Sequence, residues 1–473
     1  MIMNDFMFNM IRSELEDVVG RDNVSVTESD KISHSVDYFW LSRLWEDRGR
    51  MMPLADYIVY PGSDEEVAKI LVIANYYKIP VFPWGGGAGS QGGALAVKGG
   101  ILLDMKRMNK IIELDEKSMC ITAEAGINFA QLEWYANERG YSLMHYPSSL
   151  TCSTLGGFLA HNGIGVLSTK YGKIDDQCLH VEMAVPSGKI LKSTPVPKHS
   201  SGPSIMHMLL GSEGTYGVFT KATMKLFKKP EVRKFRAFLF KDVPTGLAFG
   251  RDLLQEFKPS IMRLYNEEET RSMIKNILGV EKEGAFMNIA IEGSAEMVEI
   301  EEHIMLRMVE ERGGMDLGSD YGEKWWDSRV TFFYPDHALD LPKMFGTLDT
   351  ISTYSNMENI YWALKKTMEQ FEGVRFIAHF SHWYEWGVMI YDRFIIENPP
   401  EDPEEALRLH NEIWNAGIRA ILDNGGVVND HHGVGMKLGR LMKEQYGDNM
   451  IFFEALKKEL DPNGIMNPYK LGL

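Results

Sequence analysis

The stretch Pro83–Gly93, PWGGGAGSQGG, holds six glycines in eleven residues. No other stretch constrains the fold as strongly. Gly87-Ala88-Gly89-Ser90-Gln91-Gly92 matches G-x-G-x-x-G, the fingerprint of a strand-to-helix turn whose helix N-terminus holds a pyrophosphate. The preceding KIPVFPW reads as a strand, as that motif requires. The residues after Gly93 break the match: ALAVKGG leads into a second strand-like run, ILLDM, with no amphipathic helix between them. The glycines therefore offer bare backbone N–H groups and positive φ without a helix dipole. A turn that holds no ligand is the alternative.

At 473 residues the chain exceeds what one ordinary core encloses, so two or three domains are expected. Its 44% hydrophobic and 25% charged residues are those of a globular protein. A net charge of −16 argues against nucleic-acid or anionic-membrane binding, though not against a local basic pocket. Cys120, Cys152 and Cys178 form no C-x-x-C pair. That excludes an in-chain iron–sulfur cluster or zinc ribbon, and fits a reducing, cytoplasmic compartment with inert buried thiols. MIMNDFMFNMIRSELEDVVG reads as an amphipathic helix ending near Gly20, not as a signal peptide. No apolar run reaches the ~18 residues of a membrane span.

From Tyr57 the chain reads strand (DYIVYP), helix (SDEEVAKILVIANYYK, with Ser63 and Glu66 as a capping box), strand (IPVFPW). A second unit runs from SMCITAEAG into the helix NFAQLEWYANERG, closed by Gly140. After about Lys225, long helical segments (AEMVEIEEHIMLRMVEERGG, PEEALRLHNEIWNAGIRAILDNGG) alternate with aromatic strands (FMNIAIEG, HWYEWGVMIYDRF). This is an α+β texture. Glycine- and serine-rich backbone recurs at Gly85–Gly92, Ser148–Gly157 and Gly211–Gly217, where small side chains leave main-chain N–H groups accessible.

Four segments in order resemble the FAD-linked oxidases, the vanillyl-alcohol-oxidase type with a PCMH-type FAD-binding fold. They are PGSDEEVAKILVIANYYKIPVFPWGGGAGSQGG, YPSSLTCSTLGGFLAHNGIGVLSTKYGKIDD, GSEGTYGVFT and LDPNGIMNPYKL. The resemblance implies a two-lobed α+β protein: a PCMH-type FAD-binding domain over residues 1–225, an α+β cap (substrate) domain over 226–430, and a segment 431–473 returning to the FAD lobe. It implies FAD held by Pro83, Trp84, Gly85, Gly86, Gly87, Ala88, Gly89, Ser90, Gln91 and Gly92, by Pro147, Ser148, Ser149, Thr151, Thr154, Gly156 and Gly157, and by Glu213, Gly214, Gly217 and Val218. Where the family often carries a flavin-bonding histidine this chain has Ala88, so non-covalent FAD is implied there; a second attachment, from the cap, stays open. The second half is most similar to alkyl-dihydroxyacetonephosphate synthases through KPSIMRLYN, through Ser381, His382, Tyr384, Gly387 and Tyr391 of SHWYEWGVMIYDRF, and through IRAILDNGGVVNDHHGVGMKLGRLM. The synthases' triple histidine is reduced here to His431-His432, and D-2-hydroxy-acid dehydrogenases share the same framework.

On this reading His431 or His432, in a loop between glycines, accepts the proton of a substrate hydroxyl. A surface pair or a metal site with His379 and His382 is the alternative. Strand alternation puts those two on opposite faces, and no metal is expected. Arg263 would anchor a carboxylate or phosphate, against a surface salt bridge with Glu267 or Glu268. Tyr391 would reach the pocket, against core packing. Arg329, Trp326, His382 and Tyr384 are further substrate candidates; Trp325, Trp326 and Phe332–Tyr334 would form an apolar wall, with core packing as the alternative. The resulting expectation is oxidation of an alcohol carbon, foremost of a 2-hydroxy acid (D-lactate- or glycolate-like, or a bulkier aromatic analogue). An ether-lipid-type transferase and an aryl alcohol oxidase are the alternatives. The electron acceptor, an iron–sulfur or quinone-linked protein among the options, and a homodimer stay open.

Overall fold

The computed structural model describes residues 4–329 and 343–473; the expected wall at 332–334 lies outside the described residues. In the N-terminal half, three parallel strands, Tyr57–Val59, Ile101–Asp104 and Val81–Trp84, form a sheet edged by the antiparallel Val24–Ser25. The crossover is helix Asp64–Tyr77, which buries Val67, Ile70, Leu71 and Ala74. Ser63 Oγ accepts from the Glu66 N–H at 3.2 Å, while Glu66 reaches past the expected partner to the Gly62 N–H at 2.6 Å. Beside it stands an antiparallel sheet ordered Ile111–Asp115, Cys120–Glu124, Val218–Lys225, Cys178–Ala184, Ile190–Lys192. The C-terminal tail adds to the first sheet: Val81 donates to the Ile465 carbonyl at 2.8 Å and Asn467 donates back to Val81 at 2.8 Å.

The second half is a seven-stranded antiparallel sheet ordered Met315–Gly318, Val232–Phe240, Ala285–Gly293, Ile261–Tyr265, Val374–Tyr384, Gly387–Ile396, Met344–Thr353. One face is covered by helices Val243–Glu256, Ala295–Glu311, Tyr354–Met368 and Pro403–Asp423, burying Phe238, Leu264, Phe380, Ile390 and Leu348. Helix Pro403–Asp423 shows how the sequence does this: Ala406, His410, Ile413, Trp414, Gly417, Ile418 and Ile421 recur at helical spacing and are its buried residues. The other face of the sheet looks toward the glycine loops.

HWYEWGVMIYDRF is not one strand. Glu385 and Trp386 turn it into a hairpin, so His382–Tyr384 and Tyr391 lie on neighbouring strands. The register then aligns Tyr265, His379, Tyr391 and Asp349 across four strands. With side chains alternating, Arg263 and Arg393, two residues from Tyr265 and Tyr391, share that face.

The alternation that separates His379 from His382 also fails. A β-bulge interrupts the register between Ser381 and Trp383, and His382 has φ +54°. The extra residue turns His382 onto the face of His379 and Ser381, and both histidines line one cavity. Trp383 is sent into the core against Gly250, where a Cβ would stand 2.3 Å from its ring. Gly250→Ala is therefore expected to lower stability by about 1–3 kcal/mol in denaturant unfolding, and to lose activity with it by displacing the bulge.

Candidate active site

Main chain packs directly on main chain where the glycine loops meet. A Cβ on Gly86 would lie 1.9 Å from the Cys152 carbonyl oxygen, and one on Gly435 would lie 2.1 Å from the Gln91 carbonyl oxygen. Gly89 is different: a Cβ there meets nothing within 4 Å, because it borders open cavity. Two adjoining cavities, about 140 and 390 Å³, share Gly86–Gly89, Ser149, His161 and His432.

The smaller cavity is walled by residues 83–87, 154–157 and 213–218. The larger is reached by Ser90 and Pro147–Ser149 and opens under the cap sheet. Two expected cofactor residues stand outside both linings. Thr151 is exposed and its carbonyl accepts from Asn128 at 2.8 Å, while a Cβ on Gly92 would meet Met436 at 2.9 Å. Cys152 is exposed at the cavity edge and Cys120 is half-buried, so of the three thiols only Cys178 is buried as expected.

Glu213 ties this cradle to the histidine loop. Its carboxylate accepts from the N–H groups of Val434 and, at 2.7 Å, Gly435. Burial pushes its pKa up to about 7, against the pull of those N–H groups and of Lys470. Asn467 donates to the carbonyls of Glu213 at 2.6 Å and Gly93 at 2.9 Å.

The larger cavity brings together Arg263, His379, His382, Tyr391, Arg393, His431 and His432. Asp349, fully buried, organises the histidine pair. Its Oδ1 accepts from His432 Nδ1 at 2.7 Å and Asn429 at 2.9 Å. Its Oδ2 accepts from the backbone of Asp430 at 3.3 Å and His431 at 3.2 Å, with His431 Nδ1 3.3 Å away. Burial alone would raise this carboxyl; His432 and His431 override that and hold it well below the usual range. His431 Nδ1 also meets Asp430 Oδ2 at 3.0 Å. A carboxylate only accepts, so in a neutral ring the proton sits on Nδ1 and Nε2 is the atom able to accept one. Ligand atoms of Asp349, His431 and His432 also fall within 4.8 Å of one another. The carboxylate's lone pairs are already taken, which favours an anchor for two imidazoles over a metal ligand.

Arg263 is buried rather than on the surface, and Glu268 binds Arg271 at 2.6 Å. Arg263 Nη1 stands 3.4 Å from His379 Nε2, and His379 Nδ1 stands 3.4 Å from Glu269 Oε2. Arg393 also binds Glu269. Burial lowers the His379 pKa to about 4. Tyr391 stacks on His379 with ring centres 4.8 Å apart. Trp325 is core, its Nε1 donating to Tyr265 at 2.7 Å. Trp326 packs between Arg233 and Arg329, with cation–ring distances of 4.5 and 3.9 Å, and Tyr384 stacks on Trp386. Those three, Trp326, Arg329 and Tyr384, stand outside the cavity lining among the described residues.

Sequence reasoning missed Asp349, Glu269, Arg393 and the segment Val36–Trp40, which walls the cavity with Phe345 and Trp414. An aspartate inside the otherwise strand-forming FGTLDTIST was the available signal for the first.

Fold and cradle together define a two-lobed flavin-binding oxidoreductase. Residues 55–194 match the FAD binding domain and residues 229–471 match the C-terminal domain of FAD linked oxidases. The chain belongs to the FAD-linked oxidase family, and its cofactor is FAD. It is 29% identical to the uncharacterized FAD-linked oxidoreductase YgcU of Escherichia coli K12, over 97% of both chains. It is 30% identical to alkyldihydroxyacetonephosphate synthase of Dictyostelium discoideum (89% of this chain, 74% of that one). A probable mitochondrial D-lactate dehydrogenase of Danio rerio is 25% identical, over 97% of this chain and 91% of that one. A solved alkyldihydroxyacetonephosphate synthase structure superposes with TM-score 0.82 at 26% identity, over 98% of this chain and 86% of that one. No helix among the described residues is long and apolar enough to cross a membrane.

The cradle separates two kinds of glycine. Gly86→Ala is expected to disrupt folding of the lobe, because the clash is with backbone. Gly89→Val is expected to fold with the wild-type melting temperature as apoprotein yet purify with little or no FAD, read from absorbance at the flavin maximum.

Proposed function

We propose that this enzyme oxidises the hydroxyl-bearing carbon of a 2-hydroxy acid whose remaining substituent is bulky and apolar. One observation carries the reading: a single cavity joins a cationic, histidine-rich end to an aromatic end formed by Phe39, Trp40, Phe345 and Trp414. FAD, held non-covalently by the three glycine loops, supplies the two-electron oxidant. Arg263 holds the substrate carboxylate, with Arg393 beside it. His431 or His432 takes the hydroxyl proton on Nε2 while Asp349 keeps the ring oriented and stabilises the imidazolium. Tyr391 and His379 close the wall behind the reacting carbon. The resemblance to D-lactate dehydrogenases supports a hydroxy acid, and the aromatic end supports one larger than lactate. The similarity to alkyldihydroxyacetonephosphate synthases keeps a second reading, exchange on a phosphate-bearing lipid precursor. Two histidines in place of three weigh against it.

Mixing the oxidised holoenzyme with a panel of 2-hydroxy acids under nitrogen is expected to bleach the flavin, faster with phenyllactate than with glycolate; no bleaching by any member ends the hydroxy-acid reading. Acid precipitation is expected to leave the FAD in the supernatant.

Burial lowers the His431 pKa, His432 lowers it further, and Asp349 and Asp430 only partly oppose this. A base must be unprotonated, so activity is expected to persist below the ordinary imidazole value of about 6.5 and to fall as pH drops through the lowered one. Asp349→Asn removes an anion that favours the protonated ring. Its acid limb in kcat/KM is expected to move to still lower pH, with kcat reduced on the order of 10²-fold or more.

A further inference from the structure

Among the described non-glycine residues that line the substrate cavity, His382 alone owes its place to a distortion. It sits at the bulge, in a left-handed backbone conformation that is unfavourable for a side-chain-bearing residue. A partner from the other lobe holds it there. Ser168 Oγ lies 2.6 Å from His382 Nδ1. The next residue, Thr169, accepts from the Trp383 N–H at 3.2 Å through Oγ1. Two residues on, the Tyr171 hydroxyl donates to Glu292 at 2.6 Å. Lys170 Nζ donates to the Glu292 carbonyl as well, so all four residues of helix Ser168–Tyr171 are fastened to the cap, and Ser168 is held against the ring.

We propose that Ser168 is a positioning residue that keeps the His382 proton on Nε2, making this imidazole a hydrogen-bond donor to an oxygen of the bound substrate. Three observations support it. The His382 ring lines the cavity and no hydrogen bond among the described residues ends on its Nε2. Burial, and then the basic groups around it (His431, Arg263, Lys173 and His379), hold the ring uncharged, so it carries one proton to place. A serine hydroxyl can donate to Nδ1, and an oxygen-bearing substrate beside Arg263 presents acceptors that a bare Nε2 would repel. His382 therefore differs in kind from His431 and His432, whose protons are drawn to Nδ1 by a carboxylate. One cavity thus holds imidazoles of both tautomers: two that can accept a proton and one that can only offer a hydrogen bond.

The donor role rests on the hydroxy-acid reading; the proton position does not. The first measurement is the ¹⁵N spectrum of the FAD-loaded full chain labelled at histidine, with His382 assigned by His382→Gln. Wild type is expected to show the proton on Nε2, Ser168→Ala a mixture, and Ser168→Thr the wild-type form. The second is binding of phenylpyruvate, read as a perturbation of flavin absorbance. Ser168→Ala is expected to weaken it about tenfold and Ser168→Thr to restore it, with the acid limb of kcat/KM unmoved in both. A wild-type proton on Nδ1 overturns the proposal, as does a Ser168→Ala enzyme that binds phenylpyruvate like wild type or whose acid limb shifts. If wild type binds no 2-oxo acid, the hydroxy-acid reading fails by itself and the spectrum still decides for or against Ser168.

Discussion

Backbone packed against backbone is the constraint on which this structure rests. At Gly86 and Gly435 the facing atom is a carbonyl oxygen about 2 Å from where a Cβ would be. The strands, tail and histidine loop can close around one cofactor-sized space only because side chains are missing there. Glu213 completes the closure: its buried carboxylate gathers N–H groups of the loop that carries His431 and His432. Buried Asp37, whose pKa burial raises to about 7, and Lys470, whose pKa burial lowers to about 8, lie in the same region. The N-terminal segment, the third glycine loop and the C-terminal tail are thereby joined electrostatically as well as sterically.

The cap contributes a different kind of order. Four of its strands place Tyr265, His379, Tyr391 and Asp349 in one row, and strand alternation adds Arg263 and Arg393 beside it. Such a row is rigid because its opposite face is a core of aliphatic and aromatic side chains under four helices. Charges on it are paired at depth: Arg393 with Glu269, and the histidine pair with Asp349. A buried charge without a partner would be costly, so these pairings make a polar wall tolerable inside the protein. Glu269 illustrates the balance: burial pushes its carboxyl up, and Arg393 with His379 pulls it back below the ordinary value.

Much of this was legible in the chain. Glycine spacing marked the cradle, and the absence of a helix after Gly93 excluded the dinucleotide turn that its motif imitates. The helices 64–77, 295–311 and 403–423 were readable from apolar periodicity. Arg263, Tyr391, His431 and His432 were singled out from a family likeness, and the fold brings them to one cavity. Asp349 was not legible as their partner, since an isolated aspartate in a strand carries no sign of which loop returns to it 80 residues later. Trp326, Arg329 and Tyr384 were named for their chemistry, and the packing of neighbouring arginines and aromatics turned them elsewhere.

The sequence by itself determined the elements, because side-chain periodicity acts locally and needs no knowledge of distant contacts, while the cofactor class came from its likeness to the FAD-linked oxidases. Tertiary structure alone decided which titratable groups face each other. His382 is the clearest case. Alternation puts it on the core face, and one inserted residue in a strand, stabilised by a serine from the other lobe, turns it into the site.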